Sequence, residues 1–166
     1  MQHYDLTTAK QKSPKDFLGL HRLDLACKFL YIKNFIESNN DNTIQLYKDH
    51  IYYRTGGIEP RDRFLPDQNL KKSTDDYVAS FNSLIINFKT YGYNNSFPIF
   101  YSKKGIINGA HRIACALYFN TQVPCIEVNK NGKGIWDRKW FEKYKFPESN
   151  IILLENTVRK LMNEQL

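Results

Sequence analysis

The sequence predicts an α/β fold of the α+β kind, a small mixed sheet flanked by helices, and three stretches carry that prediction. "STDDYVASFNSLIINFKTYGY" is helical in period and in its terminal residues. "FPIFYSKKGIING" reads as two short strands around a turn. "AHRIACALYFN" followed by "VPCIEV" passes from an amphipathic helix to a buried strand.

Taken in order, residues 1–15 are polar and expected to be loosely held. From Asp16 to Glu37, Leu20, Leu23, Cys27, Leu30 and Phe35 recur near helical spacing and predict one long amphipathic helix. "SNNDN" breaks it, and "TIQLYKDHIYYR" predicts a second helix. "TGGIEPRDRFLPDQN", with its glycines, prolines and charges, is a loop too decorated to be a plain linker. In the next helix Ser73 or Thr74 supplies a cap, and Asp75 and Asp76 suit the positive end of the helix dipole. Tyr77, Phe81, Leu84 and Phe88 share one face, and Gly92 is the stop. Strands are expected from Pro98 to Tyr101 and at Ile106 and Ile107, with the turn at Lys103 to Gly105. The chain closes with a helix in "NIILLENTVRKLMNEQL". The organisation expected is a helical extension over 1–55, a core over 56–130 and a helical segment over 131–166 packed on that core, as a single domain.

The 166 residues suit one domain with a core of ordinary size. Hydrophobic residues at 42% and aromatics at 14% exclude the depleted composition of a disordered chain. No apolar run is long enough to span a membrane, and the N-terminus lacks the apolar core of a signal peptide. Cys27, Cys115 and Cys125 are widely spaced among apolar neighbours, which favours buried thiols over a disulfide framework or a zinc site. A cytoplasmic location is therefore expected. The net charge of +7 suits an anionic partner, and equally a lysine-rich soluble surface.

The chemistry concentrates in "GIINGAHRIACALYF". A helix start exposes unpaired N–H groups and a partial positive charge, so it is a ready anion site. Gly109 allows backbone to approach a ligand, Arg112 offers a planar fork for phosphate or carboxylate, and His111 adds a second donor. Two cationic side chains at this end oppose the dipole unless an anion completes the turn. The competing account pairs Arg112 with Asp75 or Asp76, makes His111 a satisfied interior histidine, and treats Asn108-Gly109 as an ordinary turn.

The stretch from Ser73 to Val128 resembles the ParB/sulfiredoxin superfamily, through a strand such as "PIFYS", the Gly109-Ala110-His111-Arg112 motif opening a helix, and a closing strand such as "VPCIEV". The motif is similar to the Gly-Cys-His-Arg of sulfiredoxins. The resemblance implies that Asn108, Gly109, Ala110, His111 and Arg112 form a nucleotide-phosphate site for ATP or ADP with Mg²⁺. Ala110 stands where sulfiredoxins have cysteine, which removes the thiol their reduction chemistry needs. The Gly-Glu-Arg-Arg signature of ParB partition proteins and a following helix-turn-helix are absent. Free serine kinases of this superfamily carry Asp where this chain has Asn108, and a glutamate base upstream of the motif. That likeness implies Glu59 as general base beside His111 in a phosphoryl transfer to a small hydroxyl compound or sugar. A further likeness to ParB-like proteins of bacterial surface-polysaccharide loci bears on the acceptor.

The segment around 130–145 interleaves Lys130, Lys133, Arg138, Lys139, Lys143 and Lys145 with Trp136, Trp140, Phe141 and Tyr144. It could bind nucleic acid by stacking and charge, giving a nucleotide-sensing or nucleic-acid-binding module, or be a short helix whose aromatics dock on the core.

Overall fold

The computed structural model describes residues 5–38, 42–55, 73–130 and 134–163. Among these residues the fold is α+β. The helices are α1 (Leu23–Glu37), α2 (Thr43–Arg54), α3 (Thr74–Tyr91), α4 (Ala110–Tyr118), α5 (Arg138–Lys143) and α6 (Glu148–Asn163). The strands are β1 (Lys10–Lys12), β2 (Ile99–Ser102), β3 (Gly105–Asn108) and β4 (Val123–Glu127), in the order β1-β4-β2-β3. β2 and β4 run parallel at the centre, while β1 and β3 pair antiparallel on the two edges. The β3–α4–β4 passage supplies the crossover that parallel strands need.

Two elements differ from the reading of the sequence. Residues 10–12, expected to be loosely held, form an edge strand: Lys10 pairs with Cys125 and Lys12 with Val123. A three-residue polar strand has no periodicity to detect, and its partner lies far along the chain. The helix expected from Asp16 begins only at Leu23. Pro14–Phe17 form a single 3-10 turn, and the following backbone pairs elsewhere. Leu23 N–H donates to the Trp136 carbonyl at 3.0 Å, and Trp136 N–H donates to the His21 carbonyl at 3.0 Å. Backbone held in this bridge cannot also be helix. Leu20 consequently lies on the surface, 43% exposed, rather than on a helix face.

α3 follows its signals closely. Ser73 Oγ accepts from Asp76 N–H at 3.1 Å, and Asp76 Oδ2 accepts from Ser73 N–H at 3.0 Å, a complete capping box. Gly92, at φ +73°, closes the helix with its N–H on the Phe88 carbonyl. Phe81, Ile85 and Phe88 are buried. One apolar cluster joins Leu25 and Ile32 of α1 to Ile99 of β2, Ile113 of α4 and Ile151 of α6. Each such side chain, fully buried, contributes about 1.5–3 kcal/mol. All three cysteines are buried and free of disulfides, and burial pushes the Cys27 and Cys115 thiols up to about 12 and Cys125 to about 11. These thiols are unreactive near neutral pH.

α1 is buried nearly all round, charges included. Arg22, Asp24 and Lys28 are 3%, 1% and 1% exposed. Asp24 takes a bidentate pair from Arg22 (Nε at 2.7 Å, Nη2 at 2.9 Å) and a third bond from Lys28 Nζ at 3.0 Å. Burial alone would raise the Asp24 pKa, but Lys28 and Arg22 outweigh it and hold the carboxyl well below its usual range. His50 of α2 is fully buried, stacked on Phe141 at 5.8 Å and tilted against Trp140 at 5.4 Å. Neither of its ring nitrogens has a partner among the described residues. Burial, with Lys28 adding to it, holds its pKa well below 6.5.

Because folded His50 stays neutral while the unfolded chain takes up a proton below pH 6.5, its contribution is present above that pH and lost as pH falls toward the depressed value. Stability should decline below pH 6.5 with a slope of at most about 1.4 kcal/mol per pH unit. Asp24 adds a second loss below its unfolded value of 3.8. In urea titrations across this range, His50→Phe is expected to fold and to flatten the slope between pH 6.5 and 5; a slope equal to wild type would remove His50 as its source.

Candidate functional site

The turn between β3 and α4 is built by one residue in left-handed conformation. Gly109 has φ +112° and ψ 14°, and caps α4 without a side-chain bond. A Cβ here would collide with Ile99 Cδ1 and lie 3.2 Å from Arg112 Nη2, so glycine is required both by the backbone and by the packing over it. Asn108 is exposed and faces Phe100 across the β2–β3 pair. Gly109, Ala110, His111 and Arg112 are half-buried. The opening N–H groups of α4 thus lie directly beyond the sheet, at a partly open position.

Arg112 reaches back along the sheet. Its Nη1 donates to the Phe97 carbonyl and to the Pro98 carbonyl, the latter at 3.0 Å. Tyr93 Oη also donates to the Phe97 carbonyl, at 2.7 Å. Burial raises the Tyr93 pKa, and the charge of Arg112 works against that rise. Neither Asp75 nor Asp76 pairs with Arg112: Asp75 meets Lys48 at 3.3 Å, and Asp76 serves the capping box. Arg112 therefore fastens the segment before β2 to the first turn of α4.

His111 turns toward α2 and α3. Its Nε2 lies 2.9 Å from Tyr47 Oη, and its ring stands edge-on to Phe81 at 4.6 Å. Burial lifts the Tyr47 pKa far above its ordinary 10, so the hydroxyl keeps its proton. When that proton is donated to Nε2, the histidine proton resides on Nδ1; when His111 is charged, the direction reverses. Tyr47 orients the ring in either state.

Glu59 lies outside the described residues, in the connection between α2 and α3. The structure brings Asn108 to Arg112 into one turn and adds Tyr47, Phe81 and Tyr93 around it. The sequence around Tyr47 and Tyr93 carried no signal for this, since each reaches the turn from a different element. Among the described residues no three His, Cys, Asp or Glu side chains gather as metal ligands, and Asp75 and Asp76 are engaged elsewhere.

The aromatics of the basic segment point inward. Phe141 is fully buried, Trp140 packs on it at 4.9 Å, and Tyr144 stacks near Tyr53 at 5.1 Å. Trp136 carries the Arg22 guanidinium over its ring at 5.1 Å. Lys139, Lys143 and Lys145 are exposed. The aromatic faces that stacked bases would need are largely used by the core. Arg138 binds Glu155 through Nε and Nη2 (3.0 and 2.8 Å) and Glu148 through Nη1 (2.8 Å), tying α5 to α6.

Gly109→Ala is expected to lower stability by about 1–3 kcal/mol from the positive φ alone. Arg112→Ala should cost about 0.5–1.5 kcal/mol by removing the Nη1 bonds to the Phe97 and Pro98 carbonyls, the first of which keeps Tyr93 as a donor. Chemical unfolding reads both, and an unchanged midpoint in Arg112→Ala would show that its carbonyl bonds do not hold the turn. Set against protein-family models, curated proteins and solved structures, the chain matches none.

Proposed function

We propose that the chain binds the phosphates of ATP or ADP at the opening turn of α4 and transfers the terminal phosphoryl group to a hydroxyl of a small molecule or sugar. The observation that carries this reading is the left-handed Gly109 between β3 and α4, which sets the first N–H groups of the helix at a half-open position beyond the sheet. The motif's resemblance to phosphate-binding turns of the ParB/sulfiredoxin superfamily supports it. His111, oriented by Tyr47, is a donor toward developing charge, and Arg112 lends its field from the adjacent carbonyls.

In the transfer, the acceptor oxygen bonds to the terminal phosphorus as the bond to the leaving nucleotide oxygen breaks. Glu59 takes the acceptor's hydroxyl proton, and the nucleotide departs one phosphate shorter. Mg²⁺ bound with the nucleotide would neutralise charge on its phosphates; the described residues hold no ready-made ligand group for it, so its contacts fall to the phosphates and to carboxylates elsewhere. A surface-polysaccharide precursor is the acceptor class that the family likeness favours.

A second reading, nucleotide sensing without catalysis, draws on the commitment of Arg112 to the Phe97 and Pro98 carbonyls. A guanidinium held in place by backbone is suited to shaping a site rather than to following a moving phosphoryl group. The aromatics packed inward around Phe141 weigh against the nucleic-acid form of this reading.

Ala110→Asp separates binding from folding. A carboxylate in the first turn favours the helix by about 0.3–1 kcal/mol while occupying the position of the phosphate. Calorimetric titration with ATP and ADP should show saturable binding by wild type, lost in Ala110→Asp; no binding by wild type, or equal binding by the variant, rejects the site. Glu59→Gln should keep nucleotide binding and reduce phosphoryl transfer to hydroxyl compounds by about 100-fold or more. Binding with no turnover in wild type selects the sensing reading.

A further inference from the structure

A second basic site lies at the other end of the β2–β3 pair. A cleft of about 330 Å³ opens between the 3-10 turn Pro14–Phe17, the stretch before α1 and the β2–β3 hairpin. Lys12, His21, Arg22, Lys103 and Lys104 line it, against one carboxylate among the described residues, Asp16. These five groups come from three separate parts of the chain, so no local run of lysines accounts for their meeting. Lys12 comes from β1, His21 and Arg22 from the bridge to Trp136, and Lys103 and Lys104 from the hairpin.

The floor and wall of the cleft are built rather than incidental. Arg22 is 3% exposed, and its Nε and Nη2 are both held by Asp24. Nη1 is the guanidinium nitrogen that Asp24 leaves uncommitted. Asp24 also divides its negative charge with Lys28, so Arg22 is only partly neutralised from the interior side. Tyr101 forms an aromatic wall, fixed edge-on by Phe17 at 5.7 Å, and the Lys12 ammonium lies over its ring at 5.1 Å. The hairpin tip is shaped by Ser102 Oγ, which accepts from Lys104 N–H at 3.2 Å, and by Gly105 at φ +124°. That turn sets two lysines side by side at the rim. Cations crowded in this way repel one another unless an anion lies among them.

We propose that this cleft binds a phosphate-bearing small molecule, with the phosphate between Arg22 and the hairpin lysines and the remainder of the ligand against Tyr101. Its volume suits a sugar-phosphate-sized ligand, and the aromatic wall suits a ring-shaped one. The site is independent of the α4 turn: Ser102 and Gly105 pair at one end of the hairpin, while Asn108 faces Phe100 at the other. Three residues of strand, about 10 Å, separate the two.

Titration with glucose 1-phosphate and with inorganic pyrophosphate, followed by amide resonance shifts and calorimetry, tests the proposal. The expected result is saturable binding with shifts at Ser102 to Gly105, weakened about tenfold or more in the Lys103→Ala/Lys104→Ala double variant and in His21→Ala. Asp16→Asn should tighten binding, whereas Asp75→Asn, which removes an exposed carboxylate elsewhere, should not. Ala110→Asp should leave binding at this cleft intact, so that failure here and failure of the α4-turn reading remain distinguishable. Both rim lysines and His21 are exposed, so their variants should fold. The proposal is overturned if neither probe binds or if the rim variants bind as wild type. It is also overturned if the shifts fall at Gly109 to Arg112 and vanish with Ala110→Asp, or if only a single-stranded oligonucleotide binds.

Discussion

Asp24 is a carboxylate with almost no water around it, and much of the molecule is arranged to keep it charged. Removing it would strand two buried cations, a change that typically costs about 3–5 kcal/mol. Its bidentate bond orients Arg22, and Arg22 in turn lies over Trp136, whose backbone closes the bridge that starts α1. Lys28, one turn on, bonds the same carboxylate and adds to the field that keeps His50 neutral within its aromatic surroundings. One ionic group thus ties the start of α1 to the segment leading into α5, far along the chain, while its field reaches His50 of the neighbouring α2. Hydrophobic burial supplies most of the stabilisation, while the ionic group restricts which way the parts can fit.

Two positively charged places result, and they differ in kind. At the α4 turn the cation problem is solved internally: Arg112 turns away from the helix dipole and finds the negative ends of two carbonyl dipoles. What remains available there is backbone N–H. At the hairpin cleft no group among the described residues answers the charge fully, because Asp24 is already shared and Asp16 is the one carboxylate they place there. The first place is suited to holding an anion by geometry, the second by charge.

Much of the fold was legible because its signals are local. Ser73, Asp76 and Gly92 mark the ends of α3 by chemistry that needs no distant partner. The β2–β3–α4–β4 passage was legible for the same reason, in the alternation of apolar runs with Gly105 and Gly109. The start of α1 was not, because its limit is set by a backbone bridge to Trp136, more than half the chain away. β1 was missed because Lys10–Lys12 become a strand only when β4 offers its edge. At the candidate site, the glycine and the two cations could be read from the motif. The Tyr47 partner of His111 and the carbonyl partners of Arg112 could not, since residue type fixes what a side chain can bond but not which neighbour the fold supplies.

The pairing of Lys10 with Cys125 also has a consequence for the order of assembly. A chain emerging from the ribosome presents β1 and α1 long before β4 exists, so the first strand must wait with its hydrogen bonds to water. The central parallel pair, Ile99 with Cys125, closes only after the α4 crossover is in place. During that interval the apolar faces of α1 have α2 and α3 to pack on but no sheet. The short, lysine-bearing β1 is a poor template for joining another chain, so the waiting segment carries its own protection against misassembly.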